Sequence, residues 1–131
     1  MKNLLVAIPQ LELHRPPIST AIIAGVLRGA GYECKQLDLN IKLYKQVGPE
    51  QYDDMSTLWE RTRHPSEQEV ELINDFIDKD FIAHVDSNTR VMMSVFTYHS
   101  QLFAKWALER LRAAVPDCKV VLGGMGVDDG G

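Results

Sequence analysis

Basic residues, cysteines and long apolar stretches are all scarce in this chain of 131 residues. Lysine and arginine number 14 against 18 aspartates and glutamates, the net charge is −4, and the basic residues are scattered. Nucleic-acid binding needs a basic patch that follows the phosphates, so we expect no nucleic-acid partner. The two cysteines, Cys34 and Cys118, lie far apart in the sequence, so their spacing indicates neither a disulfide framework nor a metal-ligand pair. We expect both thiols to be reduced and buried.

The amino terminus carries one lysine and a short apolar run that Pro9 interrupts. It has neither the small-residue cleavage site of a signal peptide nor the length of a membrane span. We therefore expect a cytoplasmic protein with no membrane partner. The composition, 45% apolar and 24% charged, is typical of a single globular domain with one core, and we assign residues 1–131 to one domain.

Apolar runs of strand length alternate with segments of helical periodicity. The predicted strands are 3–8, 32–39, 90–97 and 118–124, and the predicted helices begin at Ile18 and Ser100. Parallel strands need long crossovers, and the segments between these strands are long enough to be helical. The order predicts an α/β fold: a flavodoxin-like or Rossmann-like three-layer domain with a short, mostly parallel sheet of order 2-1-3-4.

A helical insertion is predicted between the second and third strands, at about residues 41–89. The segments "EQYDDMSTLWERTR" and "SEQEVELINDFIDKDFIAHV" both indicate amphipathic helices. Ser66 and Glu69 have the spacing of a capping box at the start of the second. We interpret the insertion as an elaborated crossover without a core of its own.

Three glycines mark the first predicted helix. Gly31 follows the last periodic residue and predicts the end of the helix. Gly25 and Gly29 lie inside it, four residues apart, at a cost of about 1 kcal/mol each relative to alanine. We expect that cost to be offset by close packing of the helix on the sheet.

The connection from the first strand to the first helix, "PQLELHRPP" (9–17), is longer than the two to six residues usual for such a loop. In a doubly wound sheet of this order, ligands bind beyond the carboxyl ends of the first and third strands. The loop 9–17 and the turn 97–100 face that point, with Gly123 and Gly124 one strand further out. The loop is thus either one wall of a ligand crevice or an ordinary variable surface loop. Residues 9–20 contain no glycine, which excludes the G-x-G-x-x-G motif of dinucleotide binding.

Two segments at opposite ends of the chain carry a family resemblance. The first is "LLVAIPQLELHRPPISTAIIAGVLRGAGYECKQLDLN" and the second is "SVFTYHSQLFAKWALERLRAAVPDCKVVLGGMGV". Together they resemble the N-terminal cobalamin-binding domain of B12-dependent radical S-adenosylmethionine enzymes. The shared features are a strand ending in proline, a proline pair before the first helix, an "LR-x-AG" element and a "PD-x-K-VVLGG-x-GV" segment. The middle of the chain resembles, more loosely, the subgroup that matures ribosomally made peptides.

The resemblance implies that cobalamin binds base-off, without a protein ligand on cobalt. It places the cofactor against Pro9, Gln10, His14, Pro17, Ser94, Thr97, Tyr98, Gly123, Gly124 and Gly126. The glycines lack a Cβ, so a ligand can approach the backbone there, or they form a strand-end turn; Ser94 and Thr97 carry hydroxyls that can hydrogen-bond a nucleotide tail. His14 is an alternative cobalt ligand, but its surroundings depart from the D-x-H-x-x-G pattern, with Glu12 as the acid and Pro17 in place of the glycine. We expect His14 at the rim of the crevice.

The chain lacks the cluster motif of the resembled enzymes. A C-x-x-x-C-x-x-C triplet holds their iron–sulfur cluster, and this chain has two distant cysteines, so we expect cluster, S-adenosylmethionine and methyl transfer to belong to a missing catalytic domain or partner subunit. The fold of that family adds a fifth strand, so we expect a truncated sheet whose open edge supports self-association or a partner. Two hypotheses follow: a cobalamin-binding module, or a non-catalytic protein that binds a partner or a peptide without cofactor.

Overall fold

The computed structural model describes residues 2–9, 25–95 and 98–123, with the side chains of Ser94 and Tyr98 excepted. Its four strands form one sheet in which every pair is parallel. The strands are β1 (Lys2–Ala7), β2 (Cys34–Asp38), β3 (Thr89–Ser94) and β4 (Lys119–Gly123), in the spatial order β2-β1-β3-β4. This is the predicted order, and the α/β, flavodoxin-like fold class is confirmed.

Helices connect the strands. They are α1 (Leu39–Val47), α2 (Pro49–Asp54), α3 (Ser56–Trp59), α4 (Glu67–Asp80) and α5 (Tyr98–Ala114), with a 3₁₀ turn at Ile82–His84. Residues 25–29 are also helical and precede β2. Thus α1 to α4 form the crossover from β2 to β3, and α5 forms the crossover from β3 to β4. Among the described residues, no helix combines the length and apolar content needed to cross a lipid bilayer.

The two faces of the sheet are covered differently. Leu4 and Val6 of β1 and Val91 and Met93 of β3 point to one face, which we call the insertion face. There they belong to the same buried cluster as Leu43, Trp59, Ile73, Phe76 and Phe103 of the helices. On the opposite face Leu5 and Cys34 form a small buried cluster against which Leu27 and Met92 pack. The helical insertion therefore shares its apolar core with the sheet.

Local signals in the sequence fix several helix ends. Gly31 has a φ of +87°, and the amides of Gly31 and Tyr32 donate to the carbonyls of Arg28 and Leu27. This is a Schellman motif, in which a left-handed residue closes the helix. At α4, the Ser66 hydroxyl accepts from the Glu69 amide, and the Glu69 carboxylate accepts from the Ser66 amide. Both the helix end and the capping box are confirmed. Both cysteines are free and buried, as predicted.

Replacing Gly31 with alanine is expected to destabilise the protein by about 1 kcal/mol, because a Cβ is strained at its positive φ. Gly29 is a matched control, since it is helical and an added Cβ there would meet nothing within 4 Å. Gly29→Ala should raise stability by up to about 1 kcal/mol. Urea unfolding of the two variants measures the difference; equal effects of the two substitutions would contradict the assigned helix end.

Three expectations about the helices and strands were wrong. Gly25 and Gly29 do not pack closely on the sheet, because both are exposed and a Cβ at either position would meet none of the described residues within 4 Å. The segment predicted as one helix from residue 50 is two short helices, α2 and α3, that meet at Met55. The second strand was predicted to reach residue 39, but it ends at Asp38, whose carboxylate accepts from the Ile41 amide and caps α1.

Candidate functional site

The carboxyl ends of the strands form the edge at which the ligand crevice was predicted. Strand β1 lies between β2 and β3, so the strand order reverses beside it. The register places Ala7 opposite Asp38 on one side and opposite Ser94 on the other, and Ser94 is paired with Gly123. These four residues form one row across the sheet, which we call the carboxyl-edge row.

The structure places four of the ten predicted cofactor-binding residues near this row. Ser94 and Gly123 belong to it, Pro9 is buried two residues beyond Ala7, and Tyr98 begins α5 after β3. The remaining six lie outside the described residues: Gln10, His14, Pro17, Thr97, Gly124 and Gly126. The residues that the structure describes are thus brought to a single edge from three strands, although they are far apart in the sequence.

Gly123 borders open space. A Cβ built on this residue would meet no atom of the described residues within 4 Å, and the backbone of Gly123 is not in the left-handed region. Its carbonyl accepts a hydrogen bond of 2.8 Å from the Val95 amide, so β3 and β4 stay paired at the end of both strands. A glycine at this paired position leaves room for another group to approach the backbone.

Helix α5 begins at the same edge. The predicted turn 97–100 is helical from Tyr98 onwards, and Ser100 is fully buried in the first turn. Arg61, which follows α3 with a φ of +62°, donates to the Gln101 side chain at 3.1 Å. The insertion is therefore connected to the first turn of α5 by a polar contact between side chains. Neither Arg61 nor Gln101 was singled out from the sequence, since exposed polar residues far apart in the chain give no signal of contact.

A buried polar pair lies just beyond β2. The Tyr52 hydroxyl donates to Asn40 Oδ1 at 2.5 Å, and both side chains are buried. Burial raises the pKa of Tyr52 to about 12, so its hydroxyl stays protonated and remains a donor at neutral pH. The hydrogen bond holds α2 against the start of α1. Sequence analysis did not single out this pair, because two polar residues 12 positions apart in the chain give no signal of a contact.

One ion pair organises the insertion. Arg63 donates to both carboxylate oxygens of Glu69, at 2.6 and 2.8 Å, and also to the Thr57 hydroxyl and the Asp54 carbonyl. This guanidinium lowers the pKa of Glu69 to about 2. A single side chain thereby connects α2, α3 and the start of α4.

Two cavities lie away from the carboxyl-edge row. One, of about 410 Å³, lies between α1 and α4 and is lined mainly by Gln46, Gln68, Glu71, Asp75 and Lys79. The other, of about 220 Å³, lies at the amino ends of β1, β2 and β3 and includes Lys2, Glu33, Lys35 and His84. Neither includes Pro9, Ser94 or Gly123. Both differ from the crevice predicted from the strand order, because ligands of such sheets bind at the carboxyl ends.

Over residues 2–9, 25–95 and 98–123, no group of three or more histidine, cysteine, aspartate or glutamate side chains could hold a metal ion. Comparisons of the chain with protein-family models, with curated proteins and with solved structures found no match. The family resemblance described above therefore remains a prediction from sequence.

Proposed function

We propose that this chain is a cobalamin-binding module of a B12-dependent radical S-adenosylmethionine enzyme, acting in the cytoplasm. One observation supports it most directly: the parallel register brings Ala7, Ser94 and Gly123 into one row at the switch point, with open space over Gly123. A large flat ligand must contact the backbone at the strand ends, so a residue without a side chain is needed there. When bound, cobalamin supplies a transferable methyl group.

The residues that would hold the cofactor divide into two sets. Pro9, Ser94, Tyr98 and Gly123 come from described parts of the chain at the carboxyl edge. Gln10, His14, Pro17, Thr97, Gly124 and Gly126 complete the proposed set from the sequence resemblance. Cobalamin would bind base-off, with its cobalt unligated by the protein. The chain does not fit an iron–sulfur cluster, since it has two thiols, both buried, where three accessible thiolates are needed. The radical chemistry would belong to another domain or subunit.

The experiment is retention of hydroxocobalamin. The protein is incubated with the cofactor and desalted, and the visible spectrum is recorded. A corrin band at near-equal molar ratio is the expected result. Gly123→Ala is expected to weaken binding tenfold or more, about 1.4 kcal/mol, because its methyl group occupies the open space over the strand end.

Gly29→Ala is the matched control for that experiment. It adds the same methyl group, also into open space, but in the helical residues 25–29, and it should bind cobalamin like the wild type. Absence of a corrin band from wild-type protein with a folded circular dichroism spectrum would overturn the proposal. Equal binding by Gly123→Ala and wild type would remove Gly123 from the site.

A second candidate function is favoured by the exposure of β4. Val121 and Leu122 are large apolar residues with 47% and 41% of their surface exposed. A non-catalytic protein that binds a peptide or a partner subunit at its sheet edge or groove would expose such residues, and it would need no cofactor. Folded protein without a corrin band would favour this candidate.

A further inference from the structure

Strand β4 has the composition of a central strand and the exposure of an edge strand. Strands buried on both faces of a parallel sheet are nearly continuous apolar runs, as β1 is here. The run Val120, Val121 and Leu122 has the same character, but Val121 and Leu122 are exposed and Val120 is half-buried. In the part of the chain that the structure describes, no strand pairs with the outer side of β4.

The other edge of the sheet is protected in the usual way. In β2 the exposed residues Lys35 and Gln36 are polar, and a lysine in an edge strand opposes pairing with another strand. In β4 the lysine stands at the first position, Lys119, and three apolar residues follow it without a charge. The two edges therefore differ in chemistry, and β4 is the edge suited to accept a further strand.

The hydrogen-bonding groups of β4 that point outwards can be assigned. The Gly123 carbonyl accepts from Val95, so it points towards β3. Backbone groups alternate in direction along a strand, so the amides and carbonyls of Val120 and Leu122 point to the outer side. In an antiparallel pair of strands, two opposite residues whose amides and carbonyls point towards the partner strand exchange two hydrogen bonds.

We propose that β4 pairs antiparallel with β4 of a second copy of this chain, about a two-fold axis through Val121. Val120 of one copy then lies opposite Leu122 of the other, and these pairs use every outward group of both residues. Lys119 lies opposite Gly123, so no like charges meet. Parallel pairing in register would instead place Lys119 beside Lys119, so like charges would meet.

The side chains of β4 are also compatible with a closed, two-fold symmetric dimer. Val121 lies on the same face as its neighbours Met92 and Leu5, in the row that the register defines. A two-fold axis perpendicular to the sheet keeps this face on one side in both copies. The row would then continue across the axis as one apolar strip, with Val121 against Val121 at its centre. Because two five-residue strands bury less than about 1,200 Å², the pair should be weak and concentration-dependent.

The first experiment uses the unmodified chain. Sedimentation velocity from the micromolar to the millimolar range is expected to show a shift from monomer to dimer, without larger species. Hydrogen exchange of the Val120 and Leu122 amides should slow at least tenfold over the same range, since these amides become hydrogen-bonded in the dimer. A monomer at every concentration, or unchanged exchange at both amides, overturns the inference. A series of growing oligomers also overturns it, because it indicates open-ended pairing.

Charged variants test whether the second strand is a copy of β4. Val121→Lys and Val121→Glu each place like charges opposite each other at the axis, so each alone should be monomeric at concentrations where wild type is dimeric. Mixed in equal amounts, they should form a mixed dimer, since opposite charges then meet. Val26→Lys is the matched control: Val26 is 67% exposed and lies off the strand, so this variant should dimerise like wild type. If both variants fold but their mixture does not dimerise, the two-fold pairing is overturned. If a variant does not fold, the hydrogen-exchange measurement on the wild type still tests the proposal.

Discussion

Replacing Phe103 with alanine is expected to lower the free energy of unfolding by about 3–5 kcal/mol. Phe103 lies in α5 and is fully buried, with its ring 5.8 Å from that of Trp59 and 6.3 Å from that of Phe76. Both contacts are near-perpendicular, the arrangement that aromatic pairs prefer. Removal of this ring therefore leaves a cavity between α5, α3 and α4. Urea unfolding followed by circular dichroism measures the loss.

The same experiment tests whether insertion and sheet unfold together. If they share one core, wild type and Phe103→Ala should each unfold in a single transition with the same denaturant slope. Phe103→Leu should cost less than about 1.5 kcal/mol, and Lys105→Ala, at an exposed position of α5, less than about 0.5 kcal/mol. A second transition, or a loss below 1 kcal/mol for Phe103→Ala (about the average cost of any substitution), would contradict the shared core.

Glu69→Gln is expected to cost about 2 kcal/mol at neutral pH, because it removes the charge that pairs with Arg63. The folded state lowers the pKa of Glu69 from 4.5 to about 2, mainly through the hydrogen bonds from Arg63. A carboxyl group with a lowered pKa stabilises the fold above its ordinary pKa, and this stabilisation is lost as the pH falls towards 2. The expected size allows for solvent screening, since the Arg63 side chain is 35% exposed.

The measurement is the free energy of unfolding of wild type and Glu69→Gln across the acid range. The difference in the free energy of unfolding between the two proteins should have its full size at neutral pH, decrease below pH 4.5 and disappear near pH 2. Glu71→Gln is the matched control: Glu71 is exposed, two positions further along the same helix, and its replacement should change stability by less than about 0.5 kcal/mol. A difference that stays constant with pH would show that the ion pair is not its cause.

The predictions that held depend on signals within a few residues of the feature. Gly31 alone indicates a left-handed helix end, and Ser66 with Glu69 indicates a capping box, because each motif is complete in the sequence. The parallel pairing followed from four apolar runs and the lengths between them, and the order 2-1-3-4 is that of a flavodoxin-like sheet. These features depend on local backbone chemistry and on the rule that parallel strands need long crossovers.

The predictions that failed depend on contacts that the sequence does not specify. The end of β2 is an exception: Asp38 caps α1 through the Ile41 amide, and this local signal was present in the sequence but was not used. Whether Gly25 and Gly29 face the sheet depends on how the helix is rotated, which an i, i+4 pattern of glycines does not determine. For the candidate site, the sequence predicted which strand ends meet, and the register placed Ser94 beside Gly123. The contact between Arg61 and Gln101 required the folded chain.

The strand order also governs how the protein folds during synthesis. Of the four strands, β1 is synthesised first, yet it lies inside the sheet, and its Lys2 pairs in register with Thr89. Until β3 has been made, the run "LLVAI" has a neighbour on one side only, so one edge of a strongly apolar strand stays open. Such long-range pairing slows folding and exposes nascent chains to aggregation. Cotranslational chaperones should therefore associate with this chain until β3 has been synthesised.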